Sequence, residues 1–250
     1  MFDLTLIITA AFFAGVLNSI AGGGSFLTLP ALVYIGVPII PANATSTVSV
    51  FPGYISGTVG FMTELKAFDR RQLIVMILLS VIGGVLGALL LLVTPSHVFN
   101  TVVPWLLLFA TLLFALGDKI NKLVPHPQNM DSNRTLNKGW IPTLLVTIYG
   151  GYFNGGLGII LLALFSTLGM KDIKLMSGLK NALSAILSSS SVITFALAGI
   201  IYWNEAMLMM IAATIGGYCG AILVRRLPQT FVRYFIIVIG TVITIAFFLR

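Results

Sequence analysis

The residues best suited to chemistry in this sequence lie in two short polar stretches that interrupt apolar runs. Residues 18–24 and residues 154–158 each hold an asparagine followed by three glycines. A carboxamide offers N–H donors, and glycines let a ligand oxygen approach the backbone closely. A helix that starts after each stretch adds free N–H groups and a positive dipole end, a combination that binds anions. The predicted substrate contacts here are Asn18, Gly23, Gly24, Ser25, Thr28, Asn154, Gly155 and Gly156.

Three further residues are candidates for contact with the same anion. Asn43 and Asn181 each stand near the start of the helix after an interrupted run, where asparagine serves either as an N-cap or as a ligand contact. Lys180 lies one turn inside an apolar segment with no acid nearby, so it either attracts an anion or extends to the cytoplasmic interface. Four consecutive serines at 188–191 either line a polar path or hydrogen-bond to their own helix.

The composition is that of a membrane protein. Of the 250 residues, 58% are hydrophobic and 8% are charged, whereas soluble domains carry about 25% charged residues. Apolar runs recur along the whole chain, each near the ~20 residues that a helix needs to cross a bilayer. No Asp or Glu lies in the middle of a run, which argues against a cation path or a carboxylate proton relay.

The same residues argue against several other classes of function. The single cysteine, Cys219, excludes an intramolecular disulfide, and no Cys/His cluster has metal-ligand spacing, so no cofactor is predicted. The net charge of +7 comes from short loops, which indicates membrane topology rather than nucleic-acid binding. No nucleophile and base are paired in the sequence, so the chain is not predicted to be an enzyme.

Two of the apolar segments are too long for one membrane helix. The segments lie at about 4–36, 43–63, 72–94, 98–117, 140–169, 176–200, 205–224 and 230–249. The first and the fifth span roughly 30 residues, or about 45–50 Å as a single helix, against a hydrocarbon core of about 30 Å. Each contains one asparagine-glycine stretch, so each is predicted to be two half-helices joined by a turn.

The sequence also contains an internal repeat. The matched positions are Gly15 with Gly151, Asn18 with Asn154, Asn43 with Asn181, and Gly83, Gly84 and Gly87 before Pro95 with Gly216, Gly217 and Gly220 before Pro228. Four landmarks in the same order indicate a duplication. We therefore divide the chain into membrane repeats at 1–117 and 140–250, joined by a cytoplasmic loop at 118–139. The scattered glycines in this alignment are expected to serve close helix packing.

The distribution of Lys and Arg distinguishes two topologies. If the broken segments cross the membrane once each, the basic loops fall on both sides. If each broken segment is a hairpin that enters and leaves by one face, the loops at 64–71, 118–139, 171–174 and 225–229 share one side. Every Lys and Arg except Arg250 then lies on or near that side, which the positive-inside tendency makes cytoplasmic. Both termini are predicted on the non-cytoplasmic side.

The predicted fold is thus an all-α membrane bundle of two inverted-topology repeats, each beginning with a re-entrant helical hairpin. Equivalent loops of the two halves carry opposite charge character, as inverted repeats require. Residues 66–71 are basic, for example, whereas their counterparts at 202–205 have no basic residue. Transporters use this architecture because two mirror-related halves can expose a central site alternately.

One motif resembles a known family. The sequence at 15–25, Gly-Val-Leu-Asn-Ser-Ile-Ala-Gly-Gly-Gly-Ser, followed by Pro30 and by Ala-Asn-Ala-Thr at 42–45, resembles the N-terminal signature of the sulfite exporter TauE/SafE family. A weaker second signature surrounds Asn154 and Asn181. The resemblance covers nearly the whole chain and implies export of sulfite or small organosulfonates across the inner membrane of a bacterium.

The function predicted from these observations is secondary transport of a small sulfur-containing anion. No Walker-type phosphate loop is present, so an ion gradient or the membrane potential must drive transport unless another chain hydrolyses ATP. An anion channel, or a transporter of another small organic anion, is the alternative. The expected partners are the anion, a coupling ion of open identity and the lipid bilayer, with no nucleic acid. The sequence leaves a homo-oligomer open.

Overall fold

The computed structural model describes residues 2–20, 22–123, 132–170, 172–224 and 229–249, and these residues form α-helices and no strand. The helices are α1 (Phe2–Ile20), α2 (Ser25–Tyr34), α3 (Ile39–Gly60), α4 (Met62–Ala67), α5 (Arg70–Val93), α6 (Ser96–Leu123), α7 (Ser132–Tyr152), α8 (Leu157–Thr167), α9 (Ile173–Leu197), α10 (Trp203–Val224) and α11 (Gln229–Phe248). The predicted all-α class is confirmed. Helices α6 and α7 extend from both sides into the predicted linker at 118–139.

Helix α5 shows how the bundle is adapted to lipid. It is the one described helix whose length and apolar composition suffice by themselves for a membrane crossing. Its outer face exposes large aliphatic side chains, whereas its inner face buries small residues such as Ser80, Gly83, Gly84 and Gly87. Such a distribution is the reverse of a soluble helix and matches membrane helices, which pack through small residues and turn Leu and Ile toward lipid.

The first and the fifth apolar segments are both broken, as predicted. Helix α1 ends at Ile20 and α2 begins at Ser25, with Gly22 in the left-handed region at φ 82°. A Cβ placed on Gly24 would lie 2.8 Å from the carbonyl oxygen of Ala14, so α2 folds back beside α1. In the second half, α7 ends at Tyr152 and α8 begins five residues later.

Helices of the two halves interlock rather than form separate bundles. Helix α1 packs against α10, and the equivalent α7 packs against α5. Likewise α3 packs against both α9 and α10, while α9 packs against both α3 and α5. If α1, α3 and α5 are exchanged for their equivalents α7, α9 and α10, these pairs of packed helices are the same. The core therefore lies between the halves, where α3 packs against α9.

Glycines make the closest of these helix contacts. Added Cβ atoms on Gly15 and Gly216 would collide with backbone atoms of Ala213 and Phe12, respectively, and one on Gly83 would collide with Thr147. Gly84 and Gly87 are as tightly enclosed, whereas Gly217 has more space around it. The surroundings of Gly220 are outside the described part of the structure. Close packing therefore accounts for most of the scattered glycines.

The described loops gather at two ends of the bundle. At one end Gly178 lies against Phe61 and Leu65, and Gly139 lies against Leu168. Leu65 and Leu168 belong to the same buried cluster, so the two contacts are at the same end. At the other end the N–H of Tyr202 donates to Thr45, and residues 33–39 face residues 96–100 across a cavity of about 480 Å³. The hairpin arrangement predicts this grouping. Residues 171 and 225–228, which belong to the same prediction, lie outside the described residues.

Candidate functional site

The first helix break is built against α3. Asn18 stands in the last turn of α1, and its carboxamide nitrogen lies 3.2 Å from the Cβ position of Gly53. Thr28, one turn into α2, shares a hydrogen bond of 2.6 Å with the hydroxyl of Ser46. Asn18, Ser25 and Thr28 are all buried. The polar side chains predicted around this break thus face α3 inside the protein rather than lipid.

The second helix break depends on left-handed backbone. Asn154 has φ 58° and Gly156 has φ 70°, and asparagine and glycine are the residues that adopt this region most readily. Two tyrosines hold the turn in place. Tyr54 Oη donates to Asn154 Oδ1 at 3.3 Å, and Tyr149 Oη donates to the Gly155 carbonyl oxygen at 2.6 Å.

The two breaks meet in the middle of the molecule. A Cβ on Gly22 would lie 2.9 Å from the Cα atom of Gly158, and one on Gly156 would lie 3.5 Å from the ring of Phe26. Asn18 and Asn154 also contact consecutive residues of α3, at positions 53 and 54. Stretches of sequence more than a hundred residues apart therefore meet, and we call the buried polar residues beside the two breaks the central cluster: Asn18, Ser25, Thr28, Ser46, Tyr54 and Asn154.

Several buried polar atoms of the central cluster have no hydrogen-bond partner in the described structure. They are Asn18 Oδ1, Ser25 Oγ and Asn154 Nδ2. A buried polar group left unpaired destabilises a protein by about 1–3 kcal/mol, so native proteins keep few of them. Three at one place, where two broken helices meet, indicate a position that a ligand or water can occupy.

The backbone amides at the two breaks are less free than the sequence suggested. The N–H groups of Phe26 and Leu27 donate to the carbonyls of Gly23 and Gly24, and those of Leu157 and Ile159 donate to residues 154 and 156. These short i→i+3 bonds satisfy donors that an ideal helix start leaves open. Fewer N–H groups are therefore free at these helix starts than the sequence predicts. Among the described contacts, the N–H groups of Ser25 and Gly158 have no acceptor.

Asn43 and Asn181 are not helix caps. The helix of Asn43 begins after Pro38, and the Asn43 amide donates to the Tyr152 carbonyl oxygen at 2.9 Å, linking the two halves. Asn181 lies well inside α9, whose N-cap is Asp172, and its carboxamide lies against Gly57 of α3. The N-cap alternative is wrong for both, because each asparagine lies beyond the first turn. Substrate contact stays a prediction.

Lys180 is enclosed by protein. Its side chain is 4% exposed, and no hydrogen bond or ion pair to it occurs among the described residues. A lysine that extends to the membrane surface would leave its ammonium group accessible. The Lys180 nitrogen is not among the fully buried atoms that lack a partner, so the burial of the side chain as a whole does not decide between the two alternatives, and both stay predictions.

The face of α3 that packs against the helix breaks was not predicted from the sequence. Ser46, Val50, Gly53 and Gly57 recur at spacings of four, three and four, which places them on one side of the helix. Each contacts a predicted site residue or its neighbour: Thr28, Gly24, Asn18 and Asn181, respectively. This helical spacing of small and polar residues after Asn43 was the available signal.

The cavities of the described structure lie at its ends and not at the breaks. One is the cavity of about 480 Å³ beside residues 33–39, and a small one lies between α5 and α7 near Gln72 and Gly139. Neither is lined by a residue of the central cluster.

Comparison with known proteins assigns the chain to a family. The family profile described as "Sulfite exporter TauE/SafE" matches residues 7–247. A probable membrane transporter protein, ORF9, of a Sinorhizobium species is 28% identical over 87% of this chain and 82% of its own length. Probable membrane transporter proteins of Haemophilus influenzae and Escherichia coli K12 (YfcA) are each 26% identical over 96% of this chain, and the alignments cover 92% and 88% of those proteins.

The comparison with solved structures gives no significant match. The profile match nonetheless runs through both helix breaks and nearly the whole bundle. The similarity is to transporters and not to enzymes, in agreement with the prediction from the residues. The chain is a membrane protein of the sulfite exporter TauE/SafE family, and its function is that of a membrane transporter.

Proposed function

We propose that this chain is a secondary transporter, an exporter of a small sulfur oxyanion such as sulfite or an organosulfonate. The anion binds where the two helix breaks meet. The observation that carries this proposal is the central cluster, in which Asn18, Ser25 and Asn154 keep buried polar atoms without partners. An oxyanion with several acceptor oxygens satisfies the donors Ser25 Oγ and Asn154 Nδ2 at once, and hydrogen bonds to a charged group contribute about 1.5–3 kcal/mol each. The unpaired atom of Asn18 is the acceptor Oδ1, so Asn18 donates to the anion only with the two ends of its carboxamide exchanged.

The surroundings of the central cluster support an anion over a cation. In the described part of the chain no acidic side chain is buried, and Lys180 is buried. The amides of Ser25 and Gly158, each in the first turn of a half-helix, add donors and the positive end of a helix dipole. A metal cation or an ammonium compound would find few acceptors there and no compensating charge.

Alternating access follows from the way in which the halves interlock. Helix contacts are preserved when the two halves are exchanged, as expected of repeats related by a two-fold axis. With the basic loops on the cytoplasmic side, those repeats are inverted and both termini are non-cytoplasmic. Similarity to probable membrane transporter proteins supports a transporter over a permanently open anion channel.

A ligand screen on purified protein tests this proposal. The panel contains sulfite, sulfate, thiosulfate and sulfoacetate, with acetate and succinate as carboxylate controls. A ligand at a hundred times its Kd stabilises the native state by about 2.7 kcal/mol, which is measurable as a rise in Tm. Sulfite or a sulfonate should raise Tm, and acetate should not. If only the carboxylates stabilise the protein, the sulfur oxyanion assignment is wrong, and if no anion does, the central anion site is wrong.

A further inference from the structure

One face of α9 carries a charged and two hydroxyl side chains in a row. Lys180, Ser184 and Ser188 are spaced four residues apart, which places them on the same side of the helix. All three are buried, with exposed fractions of 4%, 0% and 0%. We call these residues the α9 polar face.

The two hydroxyls do not use the acceptors of their own helix. Two neighbouring serines do so: Ser189 donates to the carbonyl of Ala185, and Ser190 to that of Leu187, both at 2.8 Å. Ser191 donates instead to the carbonyl of Gly84 on α5. Ser184 Oγ and Ser188 Oγ have no hydrogen-bond partner in the described structure, although both are buried. Because self-bonding is the usual state of a buried helical serine, these two hydroxyls are available to something else.

The α9 polar face runs between one end of the bundle and the second helix break. Gly178, two residues before Lys180, lies against Phe61, at the end of the bundle that holds Lys66 and the start of α5 at Arg70. Leu187, which precedes Ser188, lies 3.0 Å from the Cβ position of Gly150 in the last turn of α7. The rise of a helix puts about 12 Å between Lys180 and Ser188. The face therefore spans the distance from that end to the depth of the break.

The α9 polar face has one charged side chain, that of Lys180. Among the described residues, Lys180 is the one charged side chain that is buried, and it has no ion-pair partner there. A monovalent anion beside it forms a neutral pair. A divalent anion leaves a net negative charge in a medium of low dielectric constant, which is unfavourable.

Resting on the proposed transport of anions, we propose that the α9 polar face is the cytoplasmic half of the substrate path. We further propose that its single lysine selects monovalent oxyanions over divalent ones. The substrate is then a monoanion such as hydrogen sulfite or a monosulfonate. Ser184 and Ser188 replace part of its hydration shell as it passes from Lys180 to the break.

Methanesulfonate and sulfate give a matched pair of probes, because both are tetrahedral and they differ by a methyl group in place of one charged oxygen. Their binding to the full-length purified protein is measured by calorimetry, and their inhibition of sulfite uptake is measured in proteoliposomes. Wild-type protein should bind methanesulfonate at least about tenfold more tightly than sulfate. Lys180→Met should lose about ten- to a hundredfold in methanesulfonate affinity, and Lys180→Arg should recover most of it.

The hydroxyls are tested with a control from the same helix. Ser184→Ala and Ser188→Ala should slow uptake severalfold without lowering Tm, because each removes a buried hydroxyl that has no partner. Ser190→Ala is the control, because it makes the same change at a buried residue whose hydroxyl is already hydrogen-bonded. It should leave uptake unchanged. Equal uptake by all three variants overturns the path.

The failures are distinguishable. If sulfate and methanesulfonate bind equally well and Lys180→Met leaves both affinities unchanged, the selection of valence is wrong while anion transport stands. If neither probe nor sulfite binds the wild-type protein, the proposed function itself is wrong and this inference falls with it.

Discussion

Replacing Asn154 by glycine separates the ligand role of this residue from its structural role. Asn154 has φ 58°, where an alanine introduces strain of about 1–2 kcal/mol and glycine introduces none. Glycine therefore removes the carboxamide and keeps the turn. The atoms removed are Nδ2, which is buried without a partner, and Oδ1, which accepts from Tyr54.

The expected effects on stability nearly cancel. Removing the buried unpaired Nδ2 stabilises the folded protein by about 1–3 kcal/mol. Losing Oδ1 leaves the buried hydroxyl of Tyr54 unpaired, which destabilises it by about 1–3 kcal/mol. The greater freedom of glycine in the unfolded chain lowers the stability of the folded protein by about another 0.5–1 kcal/mol. Unliganded Asn154→Gly protein should thus be within about 1–2 kcal/mol of the wild type. Its anion affinity should fall about ten- to a hundredfold, because one donor to a charged ligand is lost.

The assay is thermal unfolding of purified protein with and without saturating sulfite, beside uptake normalised to folded protein. Tyr54→Phe is the control, since it removes the bond to Oδ1 and keeps the carboxamide. It should lower stability and change anion affinity less than Asn154→Gly does. Asn18→Ala, in an ordinary helical turn, should lose affinity as Asn154→Gly does. If Asn154→Gly lowers Tm while affinity and rate stay at wild-type values, the asparagine is structural and the reasoning fails.

Two further predictions concern packing and topology. Gly83→Ala should lower the yield of folded protein, because the added methyl group collides with Thr147. Such overpacking typically destabilises a protein by about 1–3 kcal/mol. Ligand titration of the protein that still folds should give an unchanged affinity. In a Cys219→Ser background, Phe68→Cys should react with an impermeant thiol reagent from the cytoplasmic side and Trp203→Cys from the opposite side. Equal labelling of both positions from outside contradicts the inverted topology.

The helix breaks could be predicted because they are properties of the local sequence. An apolar run of roughly 30 residues cannot cross a bilayer as one helix, and three glycines near its middle mark the interruption. The burial of Asn18 and Asn154 at the breaks follows from the same argument. Helix ends were less accurate, as in α6 and α7, because polar residues near the membrane surface continue a helix without an apolar signal.

The partners of the predicted site residues could not be read from the sequence. Tyr54 bonds to Asn154 across 100 positions, and Asn43 bonds to the carbonyl of Tyr152, so both contacts depend on how α3 crosses the second half. The four serines at 188–191 look alike in sequence, yet Ser190 bonds to its own helix and Ser188 does not. Which serine bonds to its own helix depends on the packing around each side chain, and the sequence does not show that packing.

Exchange transport in proteoliposomes tests the central claim most directly. Vesicles with purified wild-type protein are loaded with unlabelled sulfite, and the uptake of labelled sulfite is followed against empty vesicles. A site that opens alternately to each side predicts saturable uptake that internal sulfite accelerates, with saturation shifted to higher concentration in Asn154→Gly. Two results contradict a central anion site with alternating access. In one, uptake rises linearly with concentration and does not depend on internal sulfite; in the other, uptake equals that of protein-free vesicles.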